Sequence, residues 1–358
     1  MFWNAASYII ECLLMQSVQL VARERVELRE MPEPREPGPG EVTVRVRAVG
    51  ICGSDMHFYR EGSCAGSAAT YPIVLGHEPA GEVAAVGPGV QGLRPGTRVA
   101  IEPAITCGEC EFCRAGRHNL CEKVVFMGGL QLPGFLREWA SIPARNAVEI
   151  PSSMSYPVAT VVEPLAVILH ALELTRLEPG DTVAVMGAGP IGLLAVAVAR
   201  IAGAGRIISA DRIPCRLALA QELGADAAID VARQPAAEAI LDLTSGRGAH
   251  LIIDAAGKPD SLNPALHAVR HGGRVVLIGI PSEEMPRVDL YAALNREATL
   301  LALKRSNRND HTALRLIESG KIDAAKLITH RFPLSQADKA FQTAAAYAEG
   351  VAKAVIEL

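Results

Sequence analysis

The sequence predicts an α/β protein in two parts, one rich in short β-strands and one built of βαβ units around a parallel sheet. Three observations carry this prediction. Val42, Val44 and Val46 alternate with Thr43, Arg45 and Arg47, the period of a half-buried strand. Between about 165 and 300, short apolar runs alternate with Ala- and Leu-rich helical stretches. Within that region Val183 to Met186 runs into Gly187-Ala188-Gly189-Pro190-Ile191-Gly192, a strand entering a glycine turn that opens a helix.

Composition bounds the rest. At 358 residues, two or three domains are expected. With 49% hydrophobic and 21% charged residues, the body of the chain has enough apolar surface to fold. Lys and Arg number 35 against 39 Asp and Glu, for a net charge of −4, so the basic surplus of a nucleic-acid binder is missing. Aromatics at 4% leave no stacking platform for bases. No apolar run approaches the roughly 20 residues of a membrane span. The stretch 1–15 lacks a basic start and is interrupted by Glu11, a poor match to a signal peptide. Residues 1–16 are therefore expected to be a disordered extension. A start at Met15 would leave the strand-like segment 18–21 intact. A cytosolic location is expected, where eight cysteines suggest metal or catalysis before disulfides.

In chain order, turn clusters at Pro37-Gly38-Pro39-Gly40, Gly87-Pro88-Gly89 and Pro95-Gly96 separate short strands, the pattern of a small barrel or sandwich. Strands are then expected at 182–186, 206–210, 251–254 and 274–278, with helices at 193–201 and 216–223 between them. A helix at 311–319 leads to Phe332-Pro333 and a strand at 352–356, which can rejoin the first part.

The glycine turn has the make-up of a dinucleotide site. Gly187 permits the tight turn, Gly189 lets a pyrophosphate approach the backbone, and Gly192 lets helix and strand pack closely. Pro190 suits the first helical turn, where its missing N–H is not needed. The helix N-terminus then offers free N–H groups and a positive dipole end. Asp211, 24 residues after Gly187, can accept bonds from the adenosine ribose and repel a 2′-phosphate, which favours NAD. Arg212 and Arg216 work the other way, since an arginine there can accommodate that phosphate.

Two clusters have metal-ligand chemistry. Cys107, Cys110, Cys113 and Cys121 form C-x2-C-x2-C-x7-C, and four thiolates saturate a zinc ion, so this site is structural. A redox pair needs only two of the four, and bacterial ferredoxins continue with a shorter gap and Cys-Pro. Arg114, Arg117 and Lys123 can offset part of the −2 charge of such a site. The second cluster is scattered: Cys52, His77-Glu78 and Glu163. Three protein ligands plus a water make an open, catalytic zinc site. Zinc with Cys52, neutral His77 and one glutamate is neutral, so either Glu78 or Glu163 is expected as ligand at one time, the other holding the bound water or waiting to exchange. Taken singly, Cys52 reads as a small core residue, His77 as a structural histidine, and the glutamates as surface charges. Their coincidence with a dinucleotide fold makes the case.

Gly50-Ile51-Cys52-Gly53-Ser54-Asp55, Gly76-His77-Glu78, the four-Cys lobe, Glu163-Pro164 and Gly187 to Gly192 resemble, in this order, the zinc-dependent medium-chain alcohol dehydrogenases. The chain looks most like their polyol (sorbitol, xylitol) and threonine dehydrogenase branch, over about 17–358. The resemblance implies a GroES-like catalytic domain of residues 17–164 and 302–358, interrupted by a Rossmann NAD-binding domain of residues 165–301. It implies Cys52, His77 and Glu78 as catalytic zinc ligands, and Glu163 as the variable ligand or water partner. Ser54 and His57 match the proton-relay positions, and Ile191, Asp211 and Arg216 match cofactor contacts. Cys107, Cys110, Cys113 and Cys121 match the structural lobe. The implied reaction is hydride transfer from a secondary alcohol to NAD with zinc, most simply from a polyol, by a homodimer or homotetramer without nucleic-acid or membrane partners. Phe58 stands where polyol enzymes often carry Tyr, and Lys304-Arg305 where they carry an Arg-Tyr pair that contacts substrate. The cationic pair leaves open a threonine or phosphorylated alcohol as substrate. A non-catalytic nucleotide-binding protein and a zinc-free quinone reductase both leave the two metal clusters without a purpose.

Overall fold

The computed structural model describes residues 13–281 and 285–358. The first part is a mostly antiparallel sheet whose spine is the strand Glu41–Gly50. Val42, Val44 and Val46 are at most 1% exposed, as the alternation requires, and Val44 pairs with Val83 across the ladder. The sheet runs Ala147–Glu149, Arg98–Ile101, Glu78–Val86, Glu41–Gly50, Lys353–Glu357, Ile328–Pro333, and Trp139–Pro143 also pairs with Glu41–Gly50. The return segment thus completes the sheet next to its central strand, antiparallel to it.

The second part is a six-stranded parallel sheet in the order Ala227–Asp230, Arg206–Asp211, Thr182–Met186, Ala249–Asp254, Val269–Leu277, Thr299–Ala302. Numbered along the chain this is 3-2-1-4-5-6, the doubly wound order that places a ligand at the switch point beside strand 1. Val183, Ala184 and Val185 are fully buried because helices cover both faces, and one core fills each face.

Three expectations change. Residues 1–12 lie outside the described residues, but the extension expected through residue 16 overlaps the strand Leu14–Ala22, where Met15 is 1% exposed and the whole strand pairs with Arg25–Pro32. The division expected between 164 and 165 falls inside one helix, Val162–Thr175, which packs on both Pro190–Ile201 and Asp310–Glu318. Tyr156–Thr175 is 20 residues of helix long and apolar enough to cross a membrane, against the expectation of no such run. It is 72% buried here, the position of a core helix.

Candidate active site

Each metal-binding side chain sits at a strand or helix end. Cys52 caps the helix Gly53–Glu61, and Asp55, three residues on, closes the cap. The Cys52 N–H donates to Asp55 Oδ2 at 2.9 Å, and the Gly76 N–H donates to Oδ1 at 3.1 Å. One buried carboxylate therefore ties the Cys52 loop to the His77 loop. His77 is fixed just before the strand Glu78–Val86, and Glu78 faces Gly50 across the ladder. Gly76 holds φ +87°, and a Cβ there would lie 2.7 Å from Val49 Cγ1, so no other residue enters this turn without strain.

The ligand atoms of Cys52, His77 and Glu78 all lie within 4.8 Å of one another. Ser54 Oγ is 3.2 Å from His77 Nε2, and Asp55 Oδ1 faces Nδ1 at 3.5 Å. The ring is thus oriented by a carboxylate behind it, the usual support of a metal-binding histidine. Burial acts to lower the His77 pKa, but Asp55 and Cys52 outweigh it and hold it well above the ordinary value. A pocket that favours a cation on its imidazole, with a thiol and a carboxylate beside it, fits zinc.

Glu78 forms an ion pair with Lys353, and the two side chains are 1% and 2% exposed. Lys353 Nζ also donates to the Ile51 carbonyl at 3.0 Å. Gly50 makes room, since a Cβ there would meet Glu78 Oε2 at 2.1 Å and Lys353 Cε at 2.9 Å. Glu163, in the first turn of Val162–Thr175, lies outside the compact trio. Burial pushes its carboxyl up to about 8, with His77 drawing it down and Glu78 raising it further.

The four cysteines of the second cluster also lie within 4.8 Å of one another. Cys107 Sγ is 3.9 Å from Cys113 Sγ and 3.5 Å from Cys121 Sγ. Zn–S bonds of about 2.3 Å put the sulfurs of a tetrahedron roughly 3.8 Å apart, so the spacing fits the ion and is far too long for a disulfide. Backbone N–H groups of Glu109 and Cys110 hold the Cys107 thiol down to about 6. Lys123, expected to offset the thiolates, is paired with Glu109 at 2.8 Å.

The dinucleotide turn is built as its glycines require. Gly187 has φ +96°, and a Cβ on Gly192 would lie 1.8 Å from the Gly187 carbonyl. At Gly189 the space is open, with only Arg216 Nη1 at 4.0 Å. Pro190 and Ile191 form the first turn of Pro190–Ile201, whose free N–H groups face that opening. Asp211 ends its strand, with Oδ2 accepting from Ala188 N at 2.6 Å and Oδ1 from Ile213 N at 2.9 Å. The open cradle at Gly189, beside a carboxylate, fits a dinucleotide. Arg216 donates through Nε and Nη2 to the Val351 carbonyl at 3.0 and 2.7 Å, bridging the two parts of the molecule.

Other expected residues are spread more widely. His57 lies one turn beyond Ser54 and pairs with Glu61, Nδ1 to Oε2 at 2.9 Å. Phe58 is 7% exposed, inside the core of the first part. Lys304 and Arg305 separate. Lys304 is exposed, whereas the Arg305 guanidinium lies 5.4 Å from the Phe126 ring, itself 5.4 Å from the His77 ring. Asp55 and Lys353 escaped the sequence reading. An acid three residues after a helix-capping position was a signal for Asp55. Lys353 had none, because only the sheet brings it to Glu78.

Comparison with known proteins agrees with this geometry. The Alcohol dehydrogenase GroES-like domain family matches residues 38–152, and the Zinc-binding dehydrogenase family matches 190–319. A sorbitol dehydrogenase of Bacillus subtilis is 37% identical over 330 residues, 92% of this chain and 93% of its own. An L-arabinitol 4-dehydrogenase of Hypocrea jecorina is 39% identical over 324 residues, 89% of this chain and 85% of its own. A solved structure described as a short chain alcohol dehydrogenase from E. coli CFT073, complexed with NADH, is 32% identical with a TM-score of 0.87, covering 96% of this chain and 99% of that one.

Proposed function

Because the chain belongs to the zinc-dependent medium-chain alcohol dehydrogenases, in their polyol branch, we propose that Cys52, His77 and Glu78 hold its catalytic zinc while a polyol is oxidised at a secondary carbon. It is an NAD-dependent zinc oxidoreductase that converts an alcohol to a ketone. The observation that carries the assignment is the buried trio of donors with Ser54 beside it.

Bound zinc supplies a Lewis acid for the alcohol oxygen, and bound NAD accepts the hydride. The protein's own groups do the rest. Cys52, Glu78 and Lys353 together carry −1, so a divalent ion leaves the pocket at +1 and does not lose its polarising power. Lys353 holds one oxygen of Glu78, and Glu163 stands by as the exchangeable carboxylate. Ser54 Oγ takes the alcohol proton. His57, on the same helix face, is the exit to solvent, with Nδ1 fixed by Glu61 and Nε2 free. Asp55 keeps the His77 ring in line. Arg305, turned toward Phe126 and His77, supports a second reading in which the alcohol carries a phosphate or carboxylate.

A homo-oligomer belongs to the same reading. The edge strand Thr299–Ala302 pairs on one side, and beside it Leu290, Tyr291 and Leu294 are 59–78% exposed. An apolar patch at an open sheet edge suits a second copy of the chain.

The test is NADH formation by the zinc-loaded protein with polyols, sugar phosphates, threonine and simple secondary alcohols. Turnover of polyols is expected. Turnover of anionic alcohols alone would replace the polyol reading with the second. Silence across the panel, with zinc and NAD bound, would overturn both. Cys52→Ser and His77→Ala are expected to abolish turnover and leave the circular dichroism of the fold unchanged.

A further inference from the structure

Three arginines converge on one tyrosine at the rim of the dinucleotide groove. Tyr347 ends the helix Ala337–Ala346 with φ +51°. The guanidinium carbon of Arg216 lies 5.0 Å from its ring centre, that of Arg60 5.1 Å, and that of Arg212 5.6 Å. Arg60 comes from the last turn of Gly53–Glu61, in the metal-binding part, and the other two come from just beyond Asp211, in the dinucleotide part. The cluster therefore spans the cleft at the end where Asp211 marks the adenosine ribose.

Its charge is not balanced. Among the described residues, no carboxylate lies within 4.0 Å of the side-chain nitrogens of any of the three. Asp211 is the acid that acts most strongly on Arg216, and both of its oxygens already accept backbone N–H bonds. Three guanidiniums against one carboxylate leave +2. Cation–π contacts with one ring attract each cation singly and do nothing for the repulsion among three. Arg216 is 8% exposed, yet its Nη1 makes no hydrogen bond among the described residues and points to the open space at Gly189. The missing component is an anion of about −2 beside the adenosine ribose.

We propose that Arg60, Arg212 and Arg216 form a phosphate-monoester site that seats the 2′-phosphate of the adenosine ribose, so that the groove takes NADP as well as NAD. A phosphate monoester carries about −1.5 to −2 at neutral pH, the charge the cluster lacks. Guanidinium forks match its oxygens. Asp211 opposes this, but it is outnumbered and its charge is already shared with two N–H donors. The proposal rests on the assignment of the groove to the cofactor, and the test separates the two.

The experiment uses the full-length, zinc-loaded protein in two arms. Binding of 2′,5′-ADP, 5′-ADP and inorganic phosphate is measured by calorimetry, without turnover. The expected result is 2′,5′-ADP at least about tenfold tighter than 5′-ADP, with the advantage lost in Arg212→Ala and reduced in Arg60→Ala. In the second arm, kcat/KM for NADP is expected within about tenfold of that for NAD, and Arg212→Ala to lower only the NADP value. Equal binding of the two nucleotides in the wild type would overturn the proposal, as would a 2′,5′-ADP preference that survives Arg212→Ala. Inorganic phosphate binding that persists with saturating NADP would give the cluster to a free anion instead, and would also overturn it. If neither nucleotide binds, the assignment of the groove itself has failed.

Discussion

Asp55 does not belong to the metal-binding trio, yet it fixes the loops of two of its members. Its carboxylate takes the N–H of Cys52 and of Gly76 and faces the His77 ring. Supports of this kind typically contribute 10–100-fold to metal affinity. Asp55→Ala is therefore expected to weaken catalytic zinc binding about 10–100-fold, read by chelator competition, while the four-Cys ion stays in place. Asp211→Ala is expected to raise NADP use relative to NAD, because it removes the one negative charge facing the 2′ position. At this scale the sequence told much about chemistry and little about support. Cys52, His77 and Glu78 stood out because thiol, imidazole and carboxylate are ligand types. Asp55 lay inside the same motif, but its role is geometric. Phe58 and Lys304 were marked only by their place in a family pattern, and the fold turns the first into the core and leaves the second exposed.

The glycine turn shows how tightly an element can be specified. Gly192 sits where the helix Pro190–Ile201 leans on its own entry strand, and a methyl group would collide with the Gly187 carbonyl. Gly192→Ala is expected to cost about 1–3 kcal/mol, read as a lower Tm, and to abolish NAD binding in a fluorescence titration. The four-Cys lobe is an element held by its ion alone, with little regular structure around it. Cys110→Ser is expected to release that zinc and lower Tm, with the Cys52 site still able to bind metal. Elements were legible where one signal dominated. The strands Thr182–Met186 and Ala249–Asp254 are buried on both faces and read as unbroken apolar runs. The outer strands Ala227–Asp230 and Thr299–Ala302 escaped, because an edge position asks for neither a long run nor strict alternation.

Across the whole molecule, a cavity of about 300 Å³ lies between the four-Cys lobe and the return segment, lined by Glu102, Asp310, His118 and Arg145 among others. Burial, then the charges of Asp310 and Glu163, push the Glu102 carboxyl well above its ordinary range, and burial also raises Asp310. Folded pKa values above the unfolded ones mean that the native state binds more protons. The stability tied to this pair is fully present below about pH 4 and is lost as pH rises through the raised values. Tm is expected to fall between about pH 6 and pH 9, and Glu102→Gln to flatten that fall. The two-part plan was visible in the change of pattern near 165 and again near 300. Less visible was how the parts are sewn together by Val162–Thr175, by Arg216 on Val351 and by Lys353 on Glu78. The last of these joins residues 275 positions apart. A ribosome making this chain therefore emits a complete dinucleotide fold before the metal pocket has its lysine. Until residue 353 clears the exit tunnel, Glu78 has no counter-charge and the central strand lacks a neighbour. Catalytic competence is thus timed to late synthesis, and a nascent enzyme can hold its cofactor before it can use it.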